Sequence, residues 1–498
     1  MATKVLATPG VYIEEKNAFP SSVVAVATAV PAFIGYTEMA LRGKKSLRNI
    51  PTRVTSLPEY TQLFGGPPKT TFTIAEDPEK DYSLTVDEGT DYYLYKSIRL
   101  FFANGGGTCY IVSVGDYSGG VKASELNDEE NLGGLSSLRK EQEPTMVVIP
   151  DAMLLGKNDC YSLQQAMVMH CGNDMKSRVA LLDIHDGYKE RTLDDEDVVN
   201  NFREGVGNNF LAFGAAYYPW VNTTIVQANE LDYTNISNPE DLQAILNKEV
   251  DGQLTAGFIQ EKRADMIREE IAKITVADAD LVAVGQTLLA VSPIYKDVLQ
   301  NMRMELNLLP PSAGMAGIIS MVDNNVGVHK APANVGMNNV VAPAVNLTSE
   351  NQEDLNLPLN GKAINAIRSF VGKGVIVWGA RTLDGNSQDW RYVSVRRTVI
   401  MIEQSIKIAA EAYVFEPNDA NTWASIKSMI INFLTNQWKS GALVGGSADD
   451  AFSVDVGLGV TMTPVDILDG VMKITVKVAV SRPAEFIVIT FQQQMQKS

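Results

Sequence analysis

Leu359-Asn360-Gly361-Lys362-Ala363-Ile364-Asn365-Ala366-Ile367-Arg368, then Gly374-Val375-Ile376-Val377-Trp378-Gly379-Ala380-Arg381-Thr382-Leu383, then Trp390-Arg391-Tyr392-Val393-Ser394-Val395-Arg396-Arg397: the chain is organised around this stretch. Ile364 and Ile367 lie at helical spacing and predict a short helical turn, broken by Gly372 and Gly374. Val375-Ile376-Val377-Trp378 reads as a buried strand. Asp384-Gly385-Asn386 is a turn, Tyr392-Val393-Ser394-Val395 a second strand, and Arg396-Arg397 the entry to a long helix. The stretch holds neither a nucleophile with its base nor a set of metal ligands. It is scaffold chemistry with a crowd of arginines.

Length and charge bound what such a scaffold does. A chain of 498 residues accommodates roughly three domains and can bury a large core. Its formal charge of -17 argues against nucleic-acid binding through a basic face. Cys109, Cys160 and Cys171 are too few, and odd in number, for a disulfide framework. The segment Met1-Ala2-Thr3-Lys4-Val5 does not open a signal peptide. No apolar run reaches the ~18 residues of a transmembrane helix. The expectation is assembly in the cytoplasm, without membrane insertion.

Thr8-Pro9-Gly10-Val11-Tyr12-Ile13-Glu14-Glu15 is a turn followed by a very short strand, with a linker to Ser22. Such a strand either frays or extends a sheet of another subunit. Val23 to Ile34 reads as a buried strand, Leu57 to Phe64 as a helix ended by Gly65-Gly66, and residues 67–90 as a surface loop. Tyr92 to Phe102 is helical, and Cys109 to Val114 is a strand. The glycines at 105–107 lie between that helix and that strand. A phosphate loop instead follows its strand and opens a helix, so the glycines read as a helix cap. Residues 117–143 read as another exposed loop.

From Met146 the pattern becomes α/β: strands at 146–151, 179–184 and 210–218, helices at 161–171 and 194–202, and hence a small, partly parallel sheet. Asp183-Ile184-His185-Asp186, at a strand end, is the nearest approach to an active site. Cys160, His170 and Cys171 lie upstream, but their spacings match no zinc pattern, and adjacent helical residues point about 100° apart. Gly-x-Ser-x-Gly and His-Glu-x-x-His are absent. The reading assigns no catalytic residue, no metal and no cofactor. An α/β enzyme using Asp183 and His185 is the remote alternative.

Residues 228–310 are charged and helical in pattern, as in an inserted outer subdomain. The prolines and glycines of 309–334 read as turns and caps. Val399, Ile402, Ile406, Ala409, Ala410 and Tyr413 mark one amphipathic helix. Trp423, Ile426, Met429, Ile430, Phe433, Leu434 and Trp438 mark a second, with Lys427 and Lys439 off its apolar stripe. Phe452, Val454 and Val456 alternate with polar residues, as do Ile474, Val476 and Val478, giving two half-buried strands. After Ser481-Arg482-Pro483, the run Glu485 to Phe491 reads as a strand apolar on both faces. Left exposed it is a sticky edge. It either folds back on its own core or enters a neighbouring subunit.

The opening stretch resembles the carboxy-terminal core of contractile tail sheath proteins. Tyr217-Tyr218-Pro219-Trp220, Phe101-Phe102-Ala103-Asn104-Gly105-Gly106, Pro310-Pro311-Ser312 with Gly314, and Gly327-Val328 followed by Lys330-Ala331-Pro332-Ala333-Asn334 also resemble family segments. The chain departs at Ala313, at Met321 where arginine is usual, and at His329 where tryptophan is. The resemblance implies an α+β multidomain protein. Its sheath core, residues 356–480, would be completed by strands from neighbouring subunits, and outer α/β domains at 23–355 would carry insertions near 67–90 and 228–310. Arms at 1–22 and 481–498 would belong to the core mesh, through Val11, Tyr12, Ile13 and Glu14, and through Phe486, Ile487, Val488, Ile489 and Phe491. The family's core helix faces an inner tube, which makes Lys427 and Lys439 the candidates for gripping it. The implied partners are further copies in a helical homopolymer of stacked rings, the tube, and baseplate and terminator or cap proteins. Phage tail, tailocin and injection particle stay open, as does another structural part of the same particle.

Overall fold

The computed structural model describes residues 23–488, apart from 193, 195 and 277–279. The chain divides into two compact units, residues 27–400 with 482–498, and residues 401–481 with 1–26. The division falls at 400/401, where residue 356 was the expected start of the core.

The larger unit is built on a nine-stranded sheet. Its strands run in the order Val335–Gly336, Gly374–Val377, Asn365–Phe370, Gly214–Tyr218, Val179–Asp183, Met146–Val148, Pro31–Tyr36, Cys109–Gly115 and Thr52–Val54. The six from Asn365–Phe370 to Cys109–Gly115 are parallel, and the outer strands are antiparallel. Parallel strands are apolar on both faces because helices cover both. Ala32, Ile34, Val147, Ala180 and Leu182 join one core cluster, with Tyr161 and Phe202 of the helices Lys157–Met169 and Val198–Gly205. Phe33, Met146, Val148, Val179 and Leu181 join the other, with Ile98 and Phe101 of Leu94–Ala103 and Ile318 and Ile319 of Ser312–Asn325. The alternation thus splits each strand between two cores.

The opening stretch departs from its reading in two places. Asn365–Phe370 is a strand, not a helical turn, with Asn365 opposite Tyr217 and Ile367 opposite Val377. Asn365, Ala366 and Ile367 are all buried, so two-sided burial hides the period of two. Val393–Ala410 is a helix throughout, where 392–395 was expected as a strand.

Ser312–Asn325 is likewise a core helix rather than turns. Pro310 and Pro311 precede it, where a missing N–H costs nothing. Gly317 is there for close approach: a Cβ would lie 2.5 Å from the Phe101 carbonyl oxygen. Near its far end Asp323 accepts a forked pair from Arg397, at 3.0 and 2.5 Å. Arg397 also donates to the Thr28 carbonyl.

Three loop or strand expectations also change. The strand expected from Val23 spans only Pro31–Tyr36. Residues 67–90 contain a hairpin, Phe72–Asp77 with Asp81–Val86. Its Phe72, Ile74 and Tyr82 pack with the helices Pro239–Thr255, Glu261–Ala272, Leu281–Val291 and Pro293–Leu306 in a separate core. Residues 117–143 include the helix Ala123–Leu126 and a 3-10 turn Leu135–Lys140 that bury Leu126, Leu135 and Leu138.

In the smaller unit Ala420–Lys439 is a helix capped by Asp419 and buries Ile426, Met429, Ile430, Phe433 and Leu434. It packs on Phe452–Val456, which pairs antiparallel with Ile474–Val478. The apolar residues Val454 and Val476 face each other across the pair, as the alternation requires.

Candidate functional site

In an open parallel sheet the usual ligand crevice lies at the carboxyl ends of the strands where the winding reverses. Here that place is beside Pro31–Tyr36, whose neighbours are Cys109–Gly115 and Met146–Val148. Asp151 fills it, with no exposed surface. Its Oδ2 accepts from the Tyr36 N–H at 2.8 Å, and Oδ1 accepts from the N–H groups of Tyr93 and Leu94 at 2.7 and 3.0 Å. A helix amino terminus is an anion site, and this one is occupied by the chain's own carboxylate. Burial pushes Asp151 up to about 6, against the pull of the three backbone donors.

Asp183 does the same for Ser312–Asn325. It accepts from the Ser312 N–H at 2.8 Å and the Ser312 hydroxyl at 2.5 Å. Burial raises it to about 7. His185 donates Nε2–H to the Leu155 carbonyl at 2.9 Å. The two residues of the enzyme alternative are thus committed to holding helices and loops. Cys109, Cys160 and Cys171 are buried free thiols, and burial pushes Cys171 up to about 12. Among the described residues, no group of three or more His, Cys, Asp or Glu side chains could hold a metal ion.

Incomplete structure, by contrast, gathers at the carboxy-terminal elements. Among the described residues the sheet of the smaller unit has two strands, so each has an edge without a ladder partner, and a two-stranded ribbon is marginal alone. Ile474, Val476 and Val478 are only half-buried. The same unit exposes Leu458, Val460, Val465 and Leu468, at 50, 69, 62 and 86%. Apolar surface on this scale marks an interaction site. Lys427 is half-buried and Lys439 exposed on their helix.

The segment after Ser481 belongs to the larger unit. Residues 485–488 form no strand in the single chain, and Phe486, Ile487 and Val488 are 67, 78 and 89% exposed. Just before them, Glu485 sits in a socket. Arg381, 1% exposed, donates from Nη2 to Glu485 Oε2 at 2.6 Å and from Nε at 3.1 Å to Oε1. Asn356 Nδ2 and the Tyr392 hydroxyl add bonds of 2.8 and 3.0 Å. Arg381 is itself positioned by Asn365, which bonds its N–H and its carbonyl. The sequence reading noted the arginines but missed the socket. The signal available was one acidic residue at the head of an otherwise apolar run. Val11, Tyr12, Ile13, Glu14, Ile489 and Phe491 lie outside the described residues.

Comparison with known proteins places this geometry. A family model described as phage tail sheath protein central domain matches residues 213–383, and one described as phage tail sheath C-terminal domain matches residues 386–494. Together they span more than half of the chain. The chain belongs to the phage tail sheath family.

A tail sheath protein of Burkholderia phage BcepMu is 29% identical to this sheath chain over 146 residues, covering 28% of the chain and 30% of the relative. A tail sheath protein of Vibrio phage KVP40 is 34% identical over 73 residues, covering 15% and 11%. The alignments thus span about a third or less of these curated relatives. Solved structures match along nearly the whole length. The sheath of an extracellular contractile injection system, PVC, in its contracted state has a TM-score of 0.60 at 27% identity, covering 99% of both chains. The helical sheath of the anti-feeding prophage, contracted, has a TM-score of 0.62 at 29% identity, covering 98% of this chain and all of that one. A chain from the baseplate of the same particle matches at TM-score 0.60 and 29% identity. The expected α+β sheath architecture holds over the full chain. No described helix is long and apolar enough to cross a membrane.

Proposed function

We propose that the chain is the structural subunit of a contractile sheath. It polymerises helically, as stacked rings, around an inner tube, and contracts to drive that tube through a target envelope. The observation that carries this reading is the combination of strand edges that, among the described residues of 401–481, have no ladder partner and an exposed apolar segment, Phe486 to Val488. Each copy lends strands around Val11–Glu14 and Phe486–Phe491 to its neighbours and completes its own sheet with borrowed ones. The strands stay attached while subunits turn and slide, so the sleeve shortens without falling apart. Lys427 and Lys439 face the tube. Baseplate and terminator proteins close the two ends. The crevice filled by Asp151 supports a role without substrate, cofactor or bond cleavage, and the acidic charge supports one without nucleic acid. The chain assembles in the cytoplasm and acts as part of a phage tail or phage-like particle.

The test is negative-stain electron microscopy of the protein alone and with the products of its neighbouring genes. Hollow ridged cylinders are expected in both. Dispersed chains in both preparations would overturn the reading.

A further inference from the structure

The apolar segment is exposed, yet the residue before it is among the better-held side chains of the larger unit. A guanidinium with 1% exposure needs a fixed anion, because an unpaired buried charge is strongly unfavourable. Arg381 could have been given a partner from the sheet beside it. Its partner instead comes from 104 residues further along the chain, beyond the whole of the smaller unit. Four donor atoms converge on one carboxylate: Nε and Nη2 of Arg381, Nδ2 of Asn356 and the hydroxyl of Tyr392. A forked guanidinium fixes direction as well as position. The bridge between Arg381 and Tyr392 backbones sets the spacing of two of these donors. Arg381 Nη1 also bonds the Asn356 carbonyl, which ties the third to the first. These bonds among its members hold the donors in place around Glu485.

We propose that Glu485 is a tether: seated in the Arg381–Tyr392–Asn356 socket, it fixes the root of the carboxy-terminal segment on the chain's own larger unit, so that what is lent to a neighbour begins at Phe486. This deepens the sheath reading and rests on it for the word lent. The tether itself is a property of the single chain. Two consequences follow. The lent residues Phe486 to Val488 begin within about 11 Å of Glu485, at ~3.3–3.6 Å per residue. The bonds of Glu485 are all made to residues of its own unit, Asn356, Arg381 and Tyr392. Force on the borrowed strand is then delivered to Arg381 and its sheet. It does not run back through Ser481 into the strand Ile474–Val478.

Site-directed spin labelling of dispersed full-length chains tests this. Ala484 is exposed, and the three native cysteines are buried, so Ala484→Cys takes the label alone. Replacing buried Arg381 can unfold the unit, so the socket is emptied from the other side with Glu485→Gln, and Glu485→Asp serves as the conservative variant. The expected result is a restrained label in the parent. In Glu485→Gln the mobile fraction should rise at least tenfold, about 1.4 kcal/mol, and the thermal midpoint should fall, because buried Arg381 loses its anion. Glu485→Asp should fall between the two. An unchanged label in Glu485→Gln would overturn the tether. So would an equal gain in mobility for a second label on exposed Val341→Cys of the same unit, since the loosening would then be general rather than local. The readout is taken on unassembled chains, so it stands apart from whether cylinders form.

Discussion

Replacing Phe486, Ile487 and Val488 together by serine removes the apolar part of the lent segment and leaves its backbone able to pair. In the single chain these side chains are 67, 78 and 89% exposed, so most of their apolar surface is still available to be buried on assembly. Full burial of such a side chain is worth about 1.5–3 kcal/mol. Scaled to the exposed fraction and summed, the three contribute roughly 3.5–7 kcal/mol per lent segment. The backbone ordering cost is the same with serine and cancels in the comparison. Discounting by about a third for a partly wet seat leaves ~2–5 kcal/mol, a weakening of roughly two to three orders of magnitude per contact. The dispersed chain should be little affected, because these side chains are mostly exposed in it. The assay is sedimentation over a concentration series, with circular dichroism and the thermal midpoint of the supernatant as controls. Cylinders that form at the wild-type concentration would refute the argument that this segment is buried between copies.

Gly317→Ala places a Cβ 2.5 Å from the Phe101 carbonyl oxygen and 2.8 Å from Asn104 Cβ. An overpacking cost of about 1–3 kcal/mol should lower the calorimetric midpoint by several degrees. Asp183 is raised to about 7 by burial, so the folded chain keeps a proton there that the unfolded chain releases near pH 4. Its contribution is full below the ordinary carboxylate range and is lost as the pH rises through about 7. Urea midpoints should therefore fall between pH 5 and 8 by an amount on the order of 2–4 kcal/mol, and Asp183→Asn should remove that decline. Parallel curves for the two proteins would count against it. Lys427→Glu with Lys439→Glu should abolish co-sedimentation with tubes while tube-free cylinders still form. Equal tube binding would remove these lysines from the tube-facing surface.

Much of the carboxy-terminal half was legible from period alone. Ile426, Met429, Ile430, Phe433 and Leu434 are the buried stripe of their helix. Phe452 to Val456 and Ile474 to Val478 are a strand pair in the register that their alternation requires. Reading failed where burial was two-sided or where small residues served packing. Asn365, Ala366 and Ile367 show no period of two because both faces are covered, and the three-residue step from Ile364 to Ile367 then imitated a helix. Pro310, Pro311, Gly314 and Gly317 looked like turn residues. Pro310 and Pro311 instead lead directly into a helix, and Gly314 and Gly317 lie inside it, against Leu100, Phe101 and Asn104. Of the Glu485 socket only the lone acidic residue heading an apolar run was legible; its partner was not, since no local pattern joins residues 104 positions apart.

The distribution of satisfied and unsatisfied groups is itself an argument about function. An α/β sheet that works on a ligand leaves its reversal point open and keeps unpaired polar atoms there. This chain closes that point with Asp151, which accepts three backbone N–H bonds, and commits Asp183 to Ser312. Its unmet capacity lies instead in strand edges and in apolar side chains past Glu485, which are non-directional or main-chain interactions. A small ligand cannot satisfy a row of backbone donors and acceptors, but another extended chain can. The sheath family membership and the local physics therefore favour the same proposal: that this protein recognises another length of polypeptide, and that in a homopolymer the one at hand is its own.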